Sequence, residues 1–163
     1  MPSRILILFA HPALQKSRIN RPLLEAVQGA DGITVRDLYE AYPNFLIDVA
    51  REQELLVAHD IVVFQHPFYW YSVPAILKEW QDLVLEYGFA YGAEGTALHG
   101  KRLLSAITTG GSEKAYQPEG INRFRVAELL LPIAQTAHLC GMTYLPPFVV
   151  HGTHRLREAI RQD

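Results

Sequence analysis

The sequence predicts an α/β fold, a doubly wound parallel sheet of five strands with helices on both faces. Three observations carry that prediction. Residues 4–9, 61–64 and 103–108 are short, almost wholly apolar runs bounded by turn residues, the pattern of strands buried on both faces. Between them lie segments whose apolar residues recur at helical spacing. The 163 residues, 49% hydrophobic and 20% charged, suit one domain over 1–163 with a sizeable core.

Each element follows in order. After the strand 4–9, a helix is expected over 20–28, and Ser17 and Asn20 stand at its start. A strand at 33–38 precedes a helix at 49–59, and the apolar run 61–64 is followed by an amphipathic helix at 75–86. Beyond the strand 103–108, residues 124–139 read as a long helix that Pro132 should kink or split. A last strand at 142–150 is interrupted by Pro146 and Pro147. From Arg155 onward, with Arg157 and Arg161, the chain reads as the opening of a final helix ending at Asp163. This alternation is the flavodoxin-like order, in which ligands lie beyond the carboxyl ends of the strands at the switch point.

Composition excludes several functions. A net charge of −2 and the lack of basic runs argue against nucleic acid and against a membrane-surface helix. The apolar stretches are too short to span a bilayer and no signal sequence opens the chain, so a cytoplasmic protein is expected. The single cysteine, Cys140, rules out an intrachain disulfide and is expected to be an inert buried thiol. Gly95 to Lys101 imitates a phosphate-binding P-loop, but Arg102 stands where Ser or Thr is required and the run enters a strand, so a connecting turn is expected. His151 and His154 have no acidic neighbour and read as a solvated loop, with no metal site. The glycine fingerprint G-x-G-x-x-G of dinucleotide-binding dehydrogenases is absent.

Three loops on the predicted binding edge have ligand-binding character. In the first, His11 is followed by Ser17, Arg18, Ile19 and Asn20, where a helix N-terminus favours a phosphate, although taken alone a plain helix cap is the commoner reason for Ser17 and Asn20. The second places Phe68, Tyr69, Trp70 and Tyr71 in succession, a platform for a flat ligand or a contact surface. In the third, Thr108 and Thr109 lead into Gly110 and Gly111, which let the backbone approach a ligand closely.

The chain resembles the NAD(P)H:quinone oxidoreductases, and most closely the ancillary proteins of Kef-type potassium efflux. The resemblance covers nearly the whole sequence. It rests on Ala10-His11-Pro12 with Ser17 and Asn20, Gln65-His66-Pro67, Trp70 to Ala75, Gly88-Phe89-Ala90-Tyr91-Gly92, Thr108 to Gly111, and Cys140-Gly141-Met142 running into Leu145 to Phe148. Tyr39 to Pro43, with Phe45 to Asp48, resembles the Kef branch in particular. The resemblance implies FMN, or alternatively FAD, held by His11, Ser17, Arg18, Ile19, Asn20, Phe68, Tyr69, Trp70, Tyr71, Thr108, Thr109, Gly110 and Gly111. It also implies NAD(P)H as donor, a quinone-like acceptor using the same flavin face by turns, and a homodimer. The Kef branch implies a further partner, a glutathione-gated potassium/proton antiporter met at the cytoplasmic face of the membrane. Against that family the element after Arg155 looks short.

The residues make chemical sense in those roles. Backbone N–H groups from Thr109 to Gly111 would stabilise charge that develops on a flavin as it accepts hydride, and the backbone near Trp70 would meet its other edge, framed by the indole. Tyr116 falls where the quinone reductases carry a hydrogen-bonding tyrosine, but the histidine they place six residues later is Asn122, which donates hydrogen bonds and supplies no proton. The helix carrying Lys78, Trp80 and Val84, with part of 124–139, is the expected dimer face. A phosphoacceptor regulator on the same fold is excluded by Ala10-His11 and Gln65-His66, where it needs acids, and a one-electron flavodoxin carrier would be far more acidic.

Overall fold

The computed structural model describes residues 2–154. The expected final helix lies outside them. One parallel sheet has the order β2-β1-β3-β4-β5, with a further strand β6 also paired to β4. Its strands are β1 (Ile5–Phe9), β2 (Ile33–Asp37), β3 (Ile61–Pro67), β4 (Arg102–Thr108), β5 (Thr143–Tyr144) and β6 (Phe148–Val150). The helices are α1 (Asn20–Glu25), α2 (Leu38–Ala41), α3 (Val49–Ala58), α4 (Ala75–Val84), α5 (Val126–Leu129) and α6 (Leu131–Leu139).

Three prolines interrupt the chain where the sequence expects them to. The predicted fifth strand is divided, because Pro146 and Pro147 have no N–H to give a ladder. β5 pairs with Arg102 and Leu103, and β6 resumes against Ala106 to Thr108. Pro132 splits the predicted helix, as expected, and sits in the first turn of the second piece, α6, where its missing N–H costs nothing. α2 was not expected at all. It is a single turn started by Asp37, whose Oδ1 accepts from the N–H groups of Tyr39 and Glu40 at 3.1 and 3.2 Å.

Alternation along the strands divides the core. Leu6, Leu8, Val62 and Phe64 meet Ile76, Leu77, Trp80 and Val84 of α4 in one cluster, and Ile7, Phe9 and Val63 meet Leu24 of α1 in the other. Trp80 and Val84 are therefore core residues, 1% and 0% exposed, which corrects their expected place in a dimer face. The indole Nε1–H of Trp80 donates to Glu52 Oε2 at 2.9 Å. Arg36 Nε and the Tyr42 hydroxyl donate to Glu52 Oε1 at 2.8 and 2.7 Å, so this fully buried carboxylate ties β2, α3 and α4 together. The P-loop mimic is a connecting turn, and Lys101 donates to the carbonyls of Val57 and His59 at the C-terminal end of α3. Among the described residues no helix is long and apolar enough to cross a membrane.

Candidate functional site

The loops that follow β1, β3 and β4 converge on a cavity of about 450 Å³. Eight of the residues singled out from sequence line it: His11, Ser17, Ile19, Asn20, Phe68, Tyr69, Thr108 and Gly110. Lys16, Thr153 and His154 join them, and no Asp or Glu is among the lining residues.

Its polar end is built by short-range bonds. Ser17 Oγ accepts from the Asn20 backbone N–H at 3.0 Å and from Asn20 Nδ2 at 3.2 Å, and Asn20 Nδ2 also reaches Thr108 Oγ1 at 3.1 Å. The residues at the entry to α1 and those of the cavity wall are thus the same, fastened across to β4. His11 Nδ1 accepts from the Ala13 N–H at 3.0 Å, which places the proton of the neutral ring on Nε2. Arg18 is exposed and lies off the cavity. With Ser17 turned inward as a cap, the next side chain faces solvent, and Lys16 supplies the cation instead.

The aromatic loop is fixed at its base and strained at its tip. Phe68 N–H donates to Thr108 O at 2.8 Å, Tyr69 N–H to Pro67 O at 3.0 Å and Ser72 N–H to Tyr69 O at 2.9 Å. Trp70 and Tyr71 have φ of 47° and 62°, a left-handed pair that costs roughly 1–2 kcal/mol per residue outside glycine. That turn aims Trp70 outward, 91% exposed, so the indole does not frame the cavity as expected. Tyr71 also lies off the lining and donates its hydroxyl hydrogen to Asn122 Oδ1 at 3.0 Å. Beneath the turn, His66 is fully buried and its Nδ1–H donates to Pro67 O at 2.9 Å. Burial pushes the His66 imidazole down to about 4, the Pro67 bond opposing.

A third cluster lies beside the cavity. Tyr116 is 6% exposed, stacks on Phe68 with ring centroids 6.3 Å apart, and stands near Gly111 and Asn122. Burial raises its phenol above the ordinary value, Tyr71 adds to the shift and a hydrogen bond with Thr109 opposes it. Thr109 Oγ1–H donates to Gly111 O at 2.9 Å, so the same oxygen accepts from His151 Nδ1–H at 3.0 Å. The Thr109 amide is committed to Val150 O, which leaves Gly110 and Gly111 as the donors from this loop. A Cβ at Gly110 would come within 2.3 Å of His154 Nε2. The histidine loop is therefore no solvated bystander but the fourth wall of the site; among the described residues no cluster of His, Cys, Asp and Glu could hold a metal. Its role was readable only from topology: β6 runs parallel to β4, so the loop after it emerges on the same edge.

The donors suit an anion at one end and a flat ring at the other: imidazole, ammonium, hydroxyl and amide groups with no carboxylate, then Phe68 and Tyr69. Fold and cavity together define a flavodoxin-like α/β protein with a cavity at the strand ends. A family described by its flavodoxin-like fold matches residues 3–163, and the chain belongs to that family. The glutathione-regulated potassium-efflux system ancillary protein KefG of Pectobacterium carotovorum is 51% identical over 156 residues, 96% of this chain and 85% of the relative. The general stress protein 14 of Treponema denticola, solved in complex with FMN, has a TM-score of 0.90 at 40% identity, covering 98% of this chain and 92% of that one. An NADPH-quinone reductase from P. pentosaceus has a TM-score of 0.83 at 33% identity, covering 98% and 96%.

Proposed function

We propose that the protein is a flavin-dependent NAD(P)H:quinone oxidoreductase that holds FMN in the strand-end cavity. The observation that carries this reading is the lining itself, cationic and hydroxyl-bearing at one end, aromatic at the other and free of carboxylates. The FMN-bound relative of the same fold favours FMN over FAD. Bound FMN supplies a two-electron carrier that takes hydride from a nicotinamide and gives it to a quinone-like acceptor.

The chain's own residues do the rest. His11, Lys16, Ser17 and Asn20 meet the phosphate, and Phe68 and Tyr69 wall the ring. The Gly110 and Gly111 amides stabilise charge that develops on the ring edge. Tyr116, held through Thr109, orients the reacting edge, while Asn122 steadies the aromatic turn through Tyr71. A second copy of the chain covers the exposed side chains of Trp70, Ile121 and Phe124, which lie on the two segments that the Tyr71–Asn122 bond joins. The test is purification without added cofactor, an absorption spectrum, and identification of any released flavin by mass, followed by anaerobic NADPH and NADH addition and then a quinone. Flavin bleaching by the nucleotide and recovery with quinone support the reading. Failure of the apoprotein to bind FMN overturns it.

The KefG relatives favour a second role for the same fold, as the ancillary subunit of a glutathione-gated potassium/proton antiporter. Co-purification with such an antiporter's cytoplasmic domain tests it, and Trp70, Ile121 and Phe124 are the residues to mutate.

A further inference from the structure

We propose that His66 is a positioning residue that latches the aromatic turn 67–72 in its strained shape through its bond to the Pro67 carbonyl. That carbonyl accepts twice, from His66 Nδ1–H at 2.9 Å and from the Tyr69 N–H at 3.0 Å. It is the point from which the chain leaves β3 and enters the turn. Three and four residues further on come Trp70 and Tyr71, both with left-handed φ and both bulky, a conformation that persists only where the surroundings over-determine it.

The other ring nitrogen shows what this latch costs. His66 has no solvent exposure, and its Nε2 is the one buried side-chain nitrogen or oxygen among the described residues without a hydrogen-bond partner. With Nδ1 donating, Nε2 is a bare acceptor on the sheet face that carries Val62 and Phe64. A buried acceptor left unpaired destabilises the folded state. An apolar side chain of similar size would fill the position without that penalty, so what the histidine adds is the Nδ1–H bond. The turn it holds delivers Phe68 and Tyr69 to the cavity wall.

Two variants separate the latch from mere packing. His66→Leu removes both the bond and the orphan acceptor, whereas His66→Asn places an amide N–H where Nδ1–H was. Hydrogen exchange on the apoprotein reads the turn directly. In His66→Leu the amides of Tyr69 and Ser72 should exchange about tenfold faster or more, with a melting temperature at or above wild type. His66→Asn should restore wild-type exchange there. Affinity of the apoprotein for FMN, an arm that rests on the proposed function, should fall about tenfold in His66→Leu and recover in His66→Asn. Wild-type exchange at both amides in His66→Leu overturns the proposal, as does a fall in melting temperature with faster exchange across the whole of β3, which marks a packing residue. Failure of His66→Asn to restore the turn overturns it too. If wild-type protein binds no FMN, the proposed function fails while the exchange result still decides the latch.

Discussion

Around Glu52 and at the strand-end cavity the chain buries polar groups in two different ways. The carboxylate of Glu52 meets three donors from Arg36, Tyr42 and Trp80, and the circle closes with Arg36 donating to the Tyr42 hydroxyl at 2.9 Å. Glu52, Tyr42 and Trp80 are buried, and only the Arg36 side chain is partly exposed. At the cavity, Ser17, Asn20 and Thr108 bond one another along one wall of an open volume, and the neighbouring turn is strained and rests on a half-satisfied histidine. The first cluster holds helices to the sheet; the second holds the shape of a space. Damage to the first should therefore register in stability and damage to the second in ligand affinity.

The largest effect should come from Glu52→Ala, which strands the Tyr42 hydroxyl and the Trp80 N–H in the core and leaves Arg36 without its anion. Urea denaturation should show a loss of about 3–5 kcal/mol, with FMN affinity of the folded fraction within about twofold of wild type. The acid response of His66 comes next. Its imidazole is depressed from 6.5 to about 4 in the folded chain, so the unfolded chain binds the extra proton first and stability is lost as pH falls through that window. Roughly 3 kcal/mol should disappear between those limits in wild type, and this component should be missing from His66→Leu in urea titrations at successive pH values.

At the cavity, Tyr116→Phe should slow reduction by NAD(P)H roughly ten- to hundredfold in stopped-flow, the loss of one hydrogen bond to a charged partner, and should barely change the melting temperature. Gly110→Val should weaken FMN binding about tenfold by driving a side chain into His154, at a cost in global stability under about 1 kcal/mol because that ring can swing aside. Smallest of all should be Trp70→Ala. With the indole 91% exposed, apoprotein titration should give FMN affinity within about twofold of wild type, and light scattering should show weakened association between copies.

The strands were legible because burial on both faces leaves an unbroken apolar run, and the sheet follows from their alternation with helices. The three loops were legible because their residue types are odd for connectors. What escaped was spatial. An amphipathic helix with Trp80 and Val84 on its apolar stripe offers that stripe to the core or to a partner, and the sequence does not show that Glu52 waits 28 positions earlier to receive the indole. Trp70 was misplaced because a run of rings says nothing of φ, and the left-handed pair turns the indole to solvent. Lys16 and His154 carry no motif, and only the folded loops bring them to the cavity. Arg18 shows the converse, the right charge one turn of backbone out of place.

The prolines that divide the last strand also disarm one border of the sheet. An unbroken outer strand beside β4 would present a row of free N–H and C=O groups, a template on which another chain could lay a strand of its own. Here that margin consists of a two-residue piece and a three-residue piece with Pro146 and Pro147 between them, too short and too poor in donors to seed addition. Growth of the sheet into a neighbouring molecule is blocked along this border.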